Sequence, residues 1–344
     1  MALKNRLCFW AGLICFVLLI TSGCQPITNL QVEQRYPWAS SGGDSSMSAP
    51  KTETLSVGFF PAEINGKTLD PTSPTVSYEG TPLKCTYNLQ HQGSRPVQLT
   101  MLITVNGILQ PFRMENDTQS QTSYTIPVEE HFFEKITFFI DDPVNLSADK
   151  TSYVTIHILA NYDDLLDGEE DNVLYNLSVY QWFLIPPVEP QWIADAEEPQ
   201  IASLDQIEAK QNVVPKAVNE EYPSCRGIFQ ENLFFDQEGN PAMPQYLTCD
   251  SEKQIYLALW QNKSGRYRTL ILQDGKPLAA FAGDYYLDWE TSGPEQDWEI
   301  PLSSDLLTSG KHNYYAITYD LDALEQGLGE WVHTVDPPYT IVKP

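Results

Sequence analysis

Two stretches of the chain, residues 95–112 and 265–281, share one pattern that constrains the fold more than any other feature. Each is a strand-like run, then Asn-Gly or Asp-Gly, then an apolar stretch ending in Phe. In the first, Val97, Leu99, Met101, Ile103 and Val105 alternate with Gln98, Thr100 and Thr104, and only Leu102 breaks the order. Asn106-Gly107 and Asp274-Gly275 then follow in the two stretches. Such pairs accept the positive φ angles of a type I′ turn, so each stretch predicts a tight hairpin. A period of two turns one face toward a core and the other toward water. Val154, Ile156 and Ile158 alternate in the same way, as do Ile255, Leu257 and Leu259. No long segment carries sustained helical periodicity.

The likeness of the two halves extends outward in order. Phe59-Phe60 matches Phe234-Phe235, Cys85 matches Cys249, and Tyr124–Val128 matches Trp298–Leu302. Tyr153 matches Tyr314, and Tyr162-Asp163 matches Tyr319-Asp320. The expectation is an internal duplication: an all-β chain of two tandem β-sandwiches, residues 52–188 and 223–344. The short strands, the Asn88–Gly93 and Gln261–Gly265 loops and the Asn-Gly and Asp-Gly turns together resemble Ig-like modules of bacterial surface proteins, including CARDB-like ones. That resemblance implies adhesion or binding. The antibody-type Cys…Trp…Cys framework is absent, so no immunoglobulin function follows. Residues 189–222, with Pro190, Pro199, Pro215 and many acids, read as an extended acidic linker. Ile201, Leu204 and Ile207 are spaced for one short helix within it.

The N-terminus reads as an address. Lys4 and Arg6 precede an apolar run, Leu7 to Ile20, of 14 residues. A membrane-spanning helix needs about 20, so the run fits a secretory signal. Thr21-Ser22-Gly23-Cys24 follows and resembles the lipobox of bacterial lipoproteins, with Thr21 where the family usually has an aliphatic residue. The resemblance implies a signal peptide over 1–23, cleavage before Cys24, and diacylglycerol on its sulfur. An ordinary signal peptide or an uncleaved anchor, with an incidental cysteine, is the alternative. Residues 24–51, rich in Ser and Gly, read as a flexible tether. The implied location is the cell envelope, extracytoplasmic and lipid-anchored, with the membrane as one partner.

Charge narrows the function classes. The 344 residues carry 46 acids and 20 bases, a formal net charge of -26. Nucleic-acid binding needs clustered Lys and Arg, so this balance argues against it. Signal removal takes Lys4 and Arg6 and no acid, which brings the charge to -28. Three cysteines remain beside Cys24: Cys85, Cys225 and Cys249. An export compartment permits disulfides, and either Cys225–Cys249 pairs or these are buried thiols.

Chemistry-bearing motifs are sparse. There is no Gly-x-Ser-x-Gly, His-Glu-x-x-His, P-loop or Rossmann glycine pattern, and no catalytic residues are expected. The five histidines are scattered, and His157 reads as a surface or edge residue. The acidic run at Asp163, Asp164, Asp167, Glu169 and Asp171 is either a solvated loop tip or a calcium loop, since Ca²⁺ takes six to eight oxygen ligands. No other cofactor is implied. Tyr286, Asp288, Trp289 and Glu290, followed by Trp298, combine aromatic faces with carboxylates, as sugar-binding surfaces do. The alternating reading puts Tyr285, Leu287 and Trp289 on a core face, with Asp284, Tyr286, Asp288 and Glu290 opposite. Trp182, Trp192 and Trp331 are expected in core or domain-junction packing. The expected function is a non-enzymatic, lipid-anchored surface lipoprotein acting as a binding or adhesion module. The alternatives are a carbohydrate-recognition protein and a structural subunit of an envelope complex.

Overall fold

A computed structural model describes residues 57–70, 72–91, 96–161, 178–193, 199–213, 227–230, 246–249, 255–261, 263–293, 296–327, 333–335 and 339–344. Residues from Glu53 to Pro344 form one compact unit. Its described strands build four sheets, which pair face to face as two sandwiches. The fold is the expected all-β, tandem Ig-like one.

The first sandwich contains β1 (Val57–Ile64), β2 (Leu83–His91), β3 (Val97–Val105), β4 (Ile108–Leu109), β5 (Arg113–Met114), β6 (Ser123–Val128), β7 (Phe133–Ile140), β8 (Ser152–Asn161) and β9 (Ser178–Ile185). One sheet runs β1-β2-β7-β5; the other runs β4-β3-β8-β9, with β6 also paired to β3. Alternate side chains of both sheets meet in one core that includes Phe59, Tyr87, Met101, Phe112, Phe138, Ile156 and Phe183. Rings stack within it, Phe59 on Tyr87 at 4.5 Å. Trp192 packs against this core from outside, as its place near a domain end suggested.

The second sandwich contains β10 (Ile201–Ser203), β11 (Lys210–Val213), β12 (Gly227–Gln230), β13 (Tyr246–Thr248), β14 (Ile255–Trp260), β15 (Gly265–Gln273), β16 (Lys276–Leu278), β17 (Tyr286–Thr291), β18 (Gln296–Leu302), β19 (Gly310–Asp320), β20 (His333–Val335) and β21 (Tyr339–Lys343). One helix, α1 (Leu321–Gln326), follows β19. Its sheets run β11-β18-β14-β12 and β10-β17-β15-β19-β21-β13. Strand for strand, β14, β15, β16, β17, β18 and β19 repeat the pairings of β2, β3, β4, β6, β7 and β8.

The hairpin turns are the clearest mark of the repeat. Asn106 and Gly107 have φ of 48° and 78°, and Asp274 and Gly275 have 48° and 74°. These are the left-handed angles of the expected turn. In each copy the turn side chain also reaches to the neighbouring strand. Asn106 Oδ1 accepts from the Tyr153 N–H at 2.8 Å, and Asp274 Oδ1 accepts from the Asn313 N–H at 2.9 Å.

Several expected correspondences fail against this topology. Tyr124–Val128 lies on β6, paired to β3, whereas Trp298–Leu302 lies on β18, in the opposite sheet. Both strands carry an aromatic-x-Ile-Pro-aliphatic string, which misled the alignment. Cys85 is on β2 and Cys249 follows β13, so they are not equivalent. The turn hydrogen bonds match Tyr153 with Asn313, one residue from the expected partner. Phe234-Phe235 and Tyr162-Asp163 lie outside the described residues.

The stretch read as a linker also differs. Ile201–Ser203 pairs in parallel with Tyr286–Asp288, and Lys210–Val213 pairs with Gln296–Glu299. Residues 201–213 therefore cross from one sheet of the second sandwich to the other. The expected short helix is one 3₁₀ turn, Leu204–Gln206. Such brief strands are too short to leave a readable period.

The two sandwiches share a third apolar cluster. Leu102, Ile108, Leu109, Tyr153 and Leu159 of the first meet Leu270, Leu272, Tyr286, Tyr315, Ile317 and Tyr319 of the second. The sheet of β3 and β8 and that of β15 and β19 are thus buried on both faces. This accounts for Leu102, the residue that broke the alternation: it serves the junction while its neighbours serve the core. Trp182 lies at the same junction, stacked on Tyr153 at 5.4 Å. Trp331 lies outside the described residues.

The turns seat reciprocally. A Cβ on Gly107 would come within 3.0 Å of the Tyr319 ring, and one on Gly275 would overlap Thr100. Thr100 is paired in register with Leu159, and Arg268 with Tyr319. These rows are equivalent, because Thr100 and Arg268 stand equally far before their turns. Each turn therefore rests on the same row of the other copy.

Candidate functional site

The residues singled out around β17 divide between interior and surface. β17 pairs with β15 on one side, and β10 covers only its Tyr286–Asp288 portion on the other. Leu287 and Trp289 point into the core, as the alternation implied. Trp289 is 2% exposed and its indole N–H donates to Thr269 Oγ1 at 2.9 Å. That ring is not open to stack on a ligand. Tyr286 is also buried, because the face opposite the core meets the first sandwich. Its hydroxyl accepts from the Leu109 N–H at 3.0 Å, and burial raises its pKa. Tyr285 precedes the strand and is exposed rather than in the core.

Asp288 and Glu290 stand on the outer side. Asp288 is held by Arg268 in a two-pronged pair, at 2.7 and 2.8 Å. Glu290 is exposed, and among the described residues no ion pair involves it. The register places Arg268 opposite Asp288 and Arg266 opposite Glu290. Arg266 turns instead to α1, where it contacts Asp322 at 2.7 Å and Glu325 at 2.6 Å. The Arg266 backbone N–H, then its guanidinium, holds the Asp322 carboxyl below its ordinary range.

Beside β17 these elements enclose a groove of about 500 Å³. Leu204 and Asp205 wall it from the 3₁₀ turn, where the chain crosses between sheets. Arg266, Trp298 and Leu321 also line it, and Asp288, Trp289 and Glu290 form its β17 wall. The indole N–H of Trp298 donates to the Glu290 carbonyl at 3.0 Å, which fixes the ring at the mouth. Ser203 orders the turn: its backbone N–H donates to Gln206 Oε1 at 2.9 Å. A second, more polar cavity of about 340 Å³ lies at the junction and shares Arg266, Asp288 and Leu321 with the first. It adds Asn106, Asn145 and Lys150 from the first sandwich.

Apolar walls with a few acceptors and one guanidinium suit a hydroxylated ligand of mixed character. Among the described residues, no cluster of His, Cys, Asp or Glu has the arrangement of a metal site. The acidic run Asp163, Asp164, Asp167, Glu169 and Asp171 lies outside the described residues, as do Cys24 and Cys225. Cys249 is buried, and so is Cys85, whose thiol pKa is pushed far up by burial. No helix among the described residues is long and apolar enough to cross a membrane.

His157 departs most from expectation. It is fully buried, with Nε2 2.8 Å from the Tyr319 hydroxyl. The side of β8 that reads as solvent-facing is the side the second sandwich covers. Arg266, Arg268 and Leu321 were not singled out in the sequence. Opposite charges facing each other across strands would have marked the arginines, but only once the register was known.

No family model matches the chain, and no curated protein matches it. Solved structures give distant likenesses. The Salmonella enterica SafA pilin in complex with the SafB chaperone has 11% identity and a TM-score of 0.26, over 85% of this chain and 98% of that one. The E. coli chaperone DraB has 8% identity and a TM-score of 0.24, over 84% and 97%. The PapD-like domain 7 of human CEP192 has 9% identity and a TM-score of 0.23, over 44% and 96%. Likeness at this level carries no argument, and the sandwich architecture rests on the sheets themselves.

Proposed function

We propose that the protein is a non-enzymatic binding module of a bacterial cell envelope, lipid-anchored through Cys24, and that the groove beside β17 is its ligand site. The groove carries this reading. It combines the Trp298 ring, fixed by its indole N–H, the exposed Glu290 carboxylate and the Leu204 and Leu321 walls, and the Arg266–Asp322 salt bridge ties β15 to the helix that begins at Leu321. The anchor rests on the lipobox-like Thr21–Cys24 string after a short apolar run. An acidic body tied by acyl chains needs no charge attraction to lipid.

Within this reading a carbohydrate is the favoured ligand class. An indole face offers an apolar surface to a sugar ring, and Glu290 and Asp205 offer acceptors to its hydroxyls. A glycan array probed with the mature chain tests it, together with Trp298→Ala and Glu290→Gln. Binding lost in both variants is the expected result; an array without any signal rejects the carbohydrate reading. For the anchor, Cys24→Ala is expected to move the protein from the membrane to the soluble fraction. Unchanged partitioning of that variant rejects lipid anchoring.

A further inference from the structure

Among the described residues, neither core nor second sandwich covers one broad face of the first sandwich: the outer side of the sheet β1-β2-β7-β5. The register lays its rows out. Gly58 lies beside Gln90 and Phe133, and Phe60 beside Asn88 and Lys135. Lys84, Phe139 and Arg113 form a further row. Phe60 is 41% exposed and Phe133 64%, two of the four large exposed apolar side chains among the described residues. The Phe60 ring lies over Gly58, where a Cβ would come within 2.6 Å of it. This carries Phe60 toward the row that holds Phe133. The third ring, Phe139, is already covered by cations, with Arg113 at 4.2 Å and Lys84 at 5.7 Å from its centre.

We infer that this face rests on the membrane surface, with Phe60 and Phe133 entering the headgroup–acyl boundary and Lys135 reaching the phosphates. The inference builds on the lipid anchor proposed above. The point at which the chain enters the fold favours a bilayer as occupant. Residues 24–56 separate the anchor from β1, and β1 is the strand that carries Phe60. If these 33 residues act as the flexible tether their composition implies, their root-mean-square span would be about 30 Å, enough for this edge to reach the lipid surface. Tethering makes docking an intramolecular event, and contacts too weak to hold a free protein then suffice. Aromatic rings with nearby lysines are the side chains that suit that boundary, since the lysine stems lie along apolar surface while their charges stay in water. Glu129, Glu130 and Glu134 border the Phe133 end, so the contact rests on the rings and not on attraction to anionic lipid. The binding groove belongs to the other sandwich and is not used in this contact.

The test uses the full lipidated chain reconstituted in phosphatidylcholine vesicles. A photoreactive benzoylphenylalanine replaces Phe60, Phe133 or, as a reference, Tyr285. All three positions are exposed, so the fold tolerates the exchange. Mass spectrometry first establishes the acyl groups on Cys24. Lipid adducts at positions 60 and 133, and none at 285, are the expected result. Adducts between two protein chains at 60 or 133 would overturn the inference in favour of a face joining copies. Acylated protein without lipid adducts would overturn it while leaving the anchor intact. Protein lacking acyl groups would remove the anchor, and this inference with it.

Discussion

The hydroxyl of Tyr319 lies 2.7 Å from Oγ1 of Thr104, although the two residues belong to different sandwiches. The same hydroxyl is 2.8 Å from His157 Nε2, so it stands between two buried polar groups of the first sandwich. One hydroxyl can donate to one of them and accept from the other. Tyr319→Phe keeps the ring and removes this bridge. The expected loss is about 1–3 kcal/mol of stability, because buried groups are left without their partner. Urea unfolding of the variant measures it.

Gly275 and Gly66 share nearly the same backbone angle, φ of 74° and 73°. They differ in surroundings, since a Cβ on Gly66 meets nothing within 4 Å and one on Gly275 overlaps Thr100. Alanine at either site incurs about 1–2 kcal/mol for the left-handed angle. Gly275→Ala is expected to cost about 1–3 kcal/mol more, the usual size of overpacking. Equal losses in parallel thermal melts would contradict the reciprocal seating of the turns.

His312 Nδ1 lies 2.6 Å from Asp274 Oδ2. Burial works to lower the imidazole pKa, but the Asp274 carboxylate and the Ser309 carbonyl outweigh it and raise the value above 6.5. A raised folded-state pKa adds stability below the unfolded value, and that contribution disappears as pH rises through the folded value. Stability is thus expected to fall as pH rises from about 6.5 through the raised folded-state value. The change should be at most about 0.5 kcal/mol, since the pair is partly exposed and solvent screens it. Asp274→Asn gives the second turn the side chain of Asn106, which keeps the bond to Asn313 and removes the charge. Urea midpoints of that variant should lose the pH dependence.

Cys85 is fully buried and its pKa is driven far above the ordinary thiol range by burial. A thiolate is the reactive form, so native Cys85 should resist alkylation. Labelling at that residue, followed by mass spectrometry, should occur only as fast as the first sandwich opens. Rapid labelling in native buffer would contradict the packing around β2.

Much of the strand order was legible in the sequence, because period-two runs and Asn-Gly or Asp-Gly pairs are local signals. The junction was not read, although it left a trace. Met101-Leu102-Ile103, Leu270-Ile271-Leu272 and Tyr315-Ala316-Ile317 are unbroken apolar runs, and a sheet covered on both faces needs such runs. Read as simple alternation with one exception, they place His157 and Tyr286 at the surface. The β17 segment was recognised as notable, but its contents were mixed. Trp289 serves mainly the core and only borders the groove, Tyr286 serves the junction, and Asp288, Glu290 and the later Trp298 line the groove. Tertiary partners decide that division, and periodicity along one strand does not report them.

The reciprocal seating of the two turns limits how such modules can be combined. A head-to-tail contact leaves an unused surface on each unit, so a chain of many units can grow from it. Here each copy offers a turn and a socket through the same face, and both are filled by the other copy. The seam is self-complementary, like the interface of a twofold dimer whose subunits have been joined in one chain. It closes at two, and a third copy would have to attach elsewhere.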